Sequence, residues 1–264
     1  MMNKPPPSQT DEGPLPAQLY GVMPVLEALR AGQRRINQII LADGVKDQRL
    51  HEIHTLARQL EIPVKRLPRQ DLGRLCNGAN HQGVIATLAA ASYAAAEDLL
   101  AGLTKANEPP LALVLDGVED PRNFGAIIRT AECAGIQGIF VPERRAVGLT
   151  EVVAKSSAGA LEHVPVARVT NLTRLLGELK AGGLWVIGAD ASAKQDYTTW
   201  DWTLPSALVM GGEGAGLHRL VRENCDILVS IPLFGKINSL NVSVAAGIIM
   251  FEARRQRLVS QRKV

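Results

Sequence analysis

Apolar positions change period along this chain, and the changes outline its elements. From residue 19, "VMPVLEALRAG" repeats apolar residues at helical spacing and stops at Gly32. "INQIILA" reads as a strand. "KDQRLHEIHTLARQLE" reads as a helix with Leu50, Ile53, Leu56, Ala57 and Leu60 on one face. A short strand "IPVKRL", a short helix "RQDLGRLCN" and a strand "GVIATLA" follow. Residues 19–90 therefore predict a small α/β unit. "AASYAAAEDLLAGLTKANEPP" then holds a short helical piece and a Pro-Pro stop, and 91–108 reads as a linker. Alternation resumes over 109–264 with the apolar runs "LALVLDG", "GIFVP", "LWVIGAD", "ALVMGG" and "ILVSIPLFG". Strands this continuously apolar suit a parallel sheet covered on both faces. Ligands in such sheets sit at the carboxyl ends of the strands, so chemistry is expected where these runs stop.

Composition narrows the class. The chain has 264 residues, 46% hydrophobic and 21% charged, which is ordinary for a soluble protein with a sizeable core. No apolar run reaches the ~18 residues of a membrane span. "MMNKPPPSQTDEGPLPAQ" lacks the apolar centre of a secretory signal, and residues 1–18 read as a disordered tail. Cys76, Cys133 and Cys225 are far apart and form no CxxC pair. That argues against zinc or disulfides and for core cysteines in a reducing cytoplasm. His51 and His54 share a helix without a third ligand nearby and read as surface residues; no metal site is expected. The net charge of +3 comes from residues 1–90, with 11 Lys+Arg against 8 Asp+Glu. Arg34, Arg35, Lys65, Arg66, Arg69 and Arg74 fit a surface that meets phosphates, although a normally solvated surface explains them too.

Three strand ends carry polar residues. In "LVLDGVEDPRNFGAIIRTAECAG" a strand stops at Asp116, and Asn123 is placed to cap the following helix. Arg129 lies among Ile127, Ile128 and Ala131, where burial would demand an acidic partner or an anionic ligand. In "ALVMGGEGAGL" the glycines let backbone approach a ligand. The dinucleotide fingerprint fails there, because Gly212 and Gly214 are followed by Leu217 at its third position. A phosphate P-loop fails as well, since Gly235-Lys236 precedes Ile237. Glu213 suits a ribose hydroxyl or a cation better than a pyrophosphate. The third end, "SIPLFGKINSLNVSVAAG", offers Asn238, Ser239 and Asn241 before a helix with Leu240, Val244, Ile248 and Phe251 at helical spacing. One cap is enough for a helix, so three polar residues are a surplus at this end. Arg254, Arg255 and Arg257 suit the negative end of that helix.

"NFGAIIRTAECAG", "LVMGGEGAGL" and "IPLFGKINSLNVSVAAGIIMFEA", in this order, resemble the SpoU/TrmH group of the SPOUT methyltransferases. "KSSAGALEHVPVARVTNL" is also similar. The resemblance covers about residues 109–258. "LYGVMPVLEAL" and "HQGVIATLA" resemble the family's small substrate-binding domain of L7Ae/L30e-like fold. The resemblance implies an α/β-knot domain with a deep trefoil knot, a homodimer meeting through it, and S-adenosylmethionine as cofactor. It implies Asn123, Arg129, Glu213, Ser239 and Asn241 as catalytic residues and leaves Asn238 as a loop residue. It implies Met210, Gly211, Gly212, Gly214, Ile231, Pro232, Leu233 and Leu240 as the cofactor's cradle.

The implied reaction is 2′-O-methylation of a guanosine ribose in large-subunit (23S) rRNA. Arg129 is the implied base, which is awkward because a guanidinium stays protonated below a pKa of about 12. Either it loses a proton locally, or it stays charged and orients a phosphate; the pKa favours the second. Three alternatives stay open: a tRNA ribose methyltransferase, a resistance-type rRNA methyltransferase, and a catalytically silent RNA-binding assembly factor.

Overall fold

The computed structural model describes residues 18–32, 36–44, 48–76, 78–88, 92–105, 108–214 and 216–262. Arg34 and Arg35 of the basic cluster, and the tail before Gln18, lie outside the described residues. The first part of the chain runs β1 (Gln18–Tyr20), α1 (Val22–Ala31), β2 (Ile36–Ala42), α2 (Gln48–Gln59), β3 (Val64–Leu67), α3 (Arg69–Leu75) and β4 (Val84–Leu88). Its strands form a four-stranded sheet in the order β1-β4-β2-β3. α1 ends where expected: Gly32 adopts φ 62° and returns its N–H to Ala28. Lys65, Arg66 and Arg69 project outward from the β3 edge and the start of α3.

After α4 (Ala96–Thr104) come β5 (Leu111–Asp116), α5 (Pro121–Ala134), β6 (Gly138–Pro142), α6 (Glu151–Ser156), β7 (Val166–Val169), α7 (Leu172–Ala181) and β8 (Trp185–Ala189). β9 (Gln195–Asp196), β10 (Ser206–Gly211), α8 (Arg219–Glu223), β11 (Ile227–Ser230) and α9 (Val242–Gln261) complete the chain. The seven strands pair in parallel in the order β7-β6-β5-β10-β8-β11-β9. β7 and β9 are short strands that the apolar runs did not announce.

Strand alternation explains the two layers. Leu111, Leu113 and Leu115 of β5 pack with Phe124 and Ile127 of α5 and Ile249 of α9. Ala112 and Val114 point the other way, to Leu99 of α4, Leu175 and Leu179 of α7, and Val221 of α8. Both faces are covered, which is why the strands read as unbroken apolar runs. The two parts of the chain also touch: the Tyr20 hydroxyl of β1 donates to Glu151 of α6 at 2.8 Å, and His163 lies 3.7 Å from Glu27 of α1.

Two sequence expectations change. Arg254, Arg255 and Arg257 do not serve the end of their own helix, because α9 continues past them to Gln261. Arg254 instead donates to the carbonyls of Ala134 and Gly135 at the end of α5, and Arg255 pairs with Glu252. Arg257 is buried and donates to the carbonyls of Trp202, Pro109, Pro110 and Leu204. Burial pushes its guanidinium down to about 10, still charged at neutral pH. It ties α9 to the segments entering β5 and β10. Arg257→Met should therefore strand the Trp202 and Pro109 carbonyls and cost about 3 kcal/mol, which is about 10 °C in Tm for a chain of this size. Thermal unfolding of the variant checks this. The cysteines also diverge: Cys76 is buried, Cys225 is partly buried with its thiol pushed up to about 12 by burial, and Cys133 is exposed.

Candidate active site

The polar strand ends converge at the carboxyl edge of the parallel sheet, where β5, β10, β8 and β11 stop side by side. α5 is capped by Asp120, not Asn123: the Asp120 carboxylate accepts from the N–H of Arg122 and of Asn123 at 2.8 Å each. Pro121 at the first helical position fits that cap. The Asp120 cap leaves the Asn123 amide side chain for other bonds. Its Nδ2 donates to Glu213 Oε1.

Asn241 caps α9 and joins the same cluster. Its Oδ1 accepts from Ser243 N–H (2.9 Å) and Oγ–H (2.6 Å). Its Nδ2 donates to Asn123 Oδ1 (3.1 Å) and Glu213 Oε1 (3.3 Å). One amide thus uses its oxygen to begin a helix and its nitrogen to link two distant loops. The Glu213 carboxylate is oriented through Oε1, and Oε2 has no partner among the described residues.

A cavity of about 570 Å³ opens beside this cluster. Met210, Gly211, Gly212, Gly214, Ile231, Leu233 and Leu240 line it, with Glu213, Ser239 and Asn241 at its rim. Pro232, expected in the same wall, is not among the lining residues. Asn238, set aside as a loop residue, is on the wall, as are Ala189, Asp190 and Ala191 after β8. The run "LWVIGAD", one more apolar strand with a polar end, was the signal for Asp190. Burial alone would push the Asp190 carboxyl up. Hydrogen bonds from Ser192 and from Arg222 outweigh that and hold it below the usual range.

No backbone group from Ile231 to Leu240 has a hydrogen-bond partner among the described residues. This wall combines apolar side chains with unpaired peptide groups. That combination suits a flat heteroaromatic ring with a polar edge.

A second cavity of about 320 Å³ adjoins the first and shares Gly212, Glu213 and Gly216 with it. Asn123, Arg145 and His218 are also on its walls. His218 was missed by the sequence reading. Buried Asp116, at the end of β5, accepts from His218 N–H at 2.7 Å and contacts His218 Nδ1 at 2.9 Å. Only the position of Asp116 at a strand end hinted at this pair. Arg129 stands apart. It is exposed on α5, lines neither cavity, and has no hydrogen-bond or ion-pair partner among the described residues. It is not buried, so the demand for an acidic partner or anionic ligand does not arise.

Residues 110–251 match the SpoU rRNA methylase family, more than half of the chain. The chain belongs to this family. Residues 18–94 match the family described as RNA 2′-O ribose methyltransferase substrate binding. The SpoU relatives include YacO of Bacillus subtilis, described as a TrmH family tRNA/rRNA methyltransferase. It is 46% identical over 90% of this chain and 95% of its own. Among solved structures, the SpoU methyltransferase AviRb of Streptomyces viridochromogenes, in complex with AdoMet, is 26% identical with a TM-score of 0.77. That match covers 92% of this chain and 90% of AviRb. An AdoMet-bound rRNA methyltransferase of Sinorhizobium meliloti is 26% identical with a TM-score of 0.76, over 90% and 87% of the two chains. The fold is accordingly of the SPOUT methyltransferase class with an N-terminal substrate-binding domain. Among the described residues no helix is long and apolar enough to cross a membrane, and no cluster of side chains could hold a metal ion.

Proposed function

We propose that this chain methylates the 2′-hydroxyl of a guanosine ribose in 23S rRNA, with S-adenosylmethionine as cofactor, in the cytoplasm. The observation that carries the reading is the Asn123–Glu213–Asn241 cluster at the junction of the two cavities. A cofactor in the larger cavity and a nucleotide in the smaller one would meet there. The cofactor, when bound, supplies an electrophilic methyl group on a sulfonium. Met210, Ile231, Leu233 and Leu240 would wall its ring, and the unpaired peptides of 231–240 would bind the ring's edge. The chain's remaining work is to position the oxygen, which needs an approach of roughly 3–3.5 Å. Glu213 Oε2, oriented by the two amides on Oε1, would accept the hydroxyl hydrogen. Ser239 at the rim would bond the cofactor's amino-acid end or the RNA. The rRNA assignment is supported by the Sinorhizobium meliloti rRNA methyltransferase, whose match extends over the N-terminal sheet, and by the exposed cations Lys65 and Arg66 on β3 and Arg69 at the start of α3. In domain terms, 19–90 would grip RNA, 91–108 would link, and 109–264 would carry the chemistry. Mapping 2′-O-methyl groups in rRNA and tRNA from a strain lacking the gene tests the substrate. A methyl missing from tRNA alone would overturn it.

The active form would be a homodimer through the knotted region. Val244, Phe251 and Leu258, seven residues apart, make an exposed apolar stripe on α9. The trefoil knot would thread the chain after β11 past the loop that follows β10, in keeping with the Asn241–Glu213 bond. Arg129 neighbours Thr130, which packs against Gly247 of α9. A dimer through this face would carry one subunit's Arg129 toward the partner's site, where it stays charged and orients a phosphate. Mixing inactive Arg129→Ala and Asn241→Asp subunits should then restore about a quarter of wild-type activity, the share of sites completed in random dimers. No recovery after verified subunit exchange would place Arg129 in its own subunit's site.

A further inference from the structure

The second cavity has a specific donor and acceptor pattern, and most of its carboxylates are already engaged. Both oxygens of Asp116 are held by His218. Asp120 Oδ1 caps α5, and Glu213 Oε1 takes two amides. Glu119 remains: it lines the cavity, is exposed, and has no hydrogen-bond or ion-pair partner among the described residues. Facing the same space is Arg145, whose Nη1 lies 3.5 Å from His218 Nε2. With Nδ1 turned to Asp116, His218 turns Nε2 toward that guanidinium. The chain Asp116–His218–Arg145 therefore aims a cation into the cavity from a buried anchor. Arg145 itself is held at φ 59°, a conformation that non-glycine residues seldom adopt. Below the ring, Gly117 at φ 82° leaves no side chain; a Cβ there would lie 3.3 Å from His218 Cε1.

A phosphate suits this cavity poorly, because Asp116, Glu119, Asp120 and Glu213 outnumber its two basic side chains. A base that offers donors to a carboxylate and acceptors to a guanidinium suits it well. Guanine alone among the RNA bases presents two adjacent donors, N1–H and N2–H, beside the acceptors O6 and N7. We propose that this cavity is the nucleobase pocket for guanine. Glu119 accepts from N1–H and N2–H, and Arg145, positioned by His218, donates to O6 or N7. The inference rests on the RNA-methyltransferase reading for its place in the reaction and supplies the base specificity of that same site. A base extruded from its stack and read on its Watson–Crick edge would leave its ribose at the Asn123–Glu213–Asn241 junction.

The test separates the pocket from the activity. Binding of GMP, IMP and AMP to the full chain is measured by titration, for wild type and for Glu119→Gln, Arg145→Ala and His218→Asn. GMP should bind roughly tenfold tighter than AMP, with IMP, which lacks the N2 amine, between them. Glu119→Gln should remove the GMP preference over IMP. Arg145→Ala should weaken GMP and IMP equally. His218→Asn retains a donor for Asp116 but loses the Nε2 contact, so it should act like Arg145→Ala and leave the GMP/IMP ratio unchanged. Equal binding of GMP and AMP by wild type, or an unchanged GMP/IMP ratio in Glu119→Gln, overturns the proposal. A guanine-selective pocket in a chain that transfers no methyl to 23S rRNA transcripts would uphold the pocket and defeat the rRNA reading.

Discussion

Asn241→Asp should lose about 100-fold in turnover, the scale of removing one preorganised donor from an active site, while the protein melts close to wild type. The substitution keeps the oxygen that accepts from Ser243 and begins α9. It removes the Nδ2 donor that reaches Asn123 and Glu213, and it sets a second carboxylate where the first is 3.3 Å away. Asn241→Ala gives the complementary result. It loses both functions, so the same fall in turnover should come with about 1 kcal/mol of lost stability from the missing cap. Methyl-transfer rates and thermal unfolding of the two variants separate the roles. If Asn241→Asp retains wild-type turnover, the linking amide has no part in the chemistry.

Gly212→Ala should be a severely damaging methyl at the junction of the two cavities. A Cβ at 212 would stand 2.0 Å from the Gly117 carbonyl oxygen and 2.7 Å from its carbon, both backbone atoms. Backbone cannot rotate aside as a side chain can. Gly212 N–H also donates to the Asp116 carbonyl at 2.7 Å, so the loops after β5 and β10 are pinned together at this point. Spreading them costs about 1–3 kcal/mol as overpacking. It also displaces the wall that the two cavities share, and a misplacement of about 1 Å is enough for a 100-fold loss in rate. Cofactor affinity and turnover should both fall by about that factor. Gly214→Ala is the control. Gly214 sits at φ 86° with nothing within 4 Å of its Cβ position, so it brings backbone strain without collision, about 1–2 kcal/mol. Equal affinities in wild type and Gly212→Ala, measured by cofactor titration, would refute the pinned-loop account.

Local features were legible from the sequence where short-range physics decides them. The helix stop at Gly32 follows from glycine's access to positive φ. The parallel sheet follows from strands apolar on both faces, and the polar triplet that holds Asn241 was recognisable as more than one cap requires. Readings failed where two residues could do the same local job. Asp120 and Asn123 are both capping types at the start of α5, and only the backbone path into Pro121 gives the cap to Asp120. The apolar sequence neighbours of Arg129 left its burial open; a helix presents successive residues to different sides, and 129 faces out.

The sequence by itself determined the element types, the covered parallel sheet, the strand ends where polar residues gather, and the family. It could not determine which strand ends meet. Periodicity constrains how each element is buried, and it carries no information on the order β5-β10-β8-β11 in which the strands lie together. That order brings Asn123, Glu213 and Asn241 into one hydrogen-bonded cluster across 118 residues of chain. It also sets His218 on Asp116 across 102 residues. Arg254 and Arg257, which by sequence belong to the end of their own helix, secure other segments for the same reason. A charged side chain is stabilised by the carbonyls that tertiary packing brings to it, whichever part of the chain supplies them.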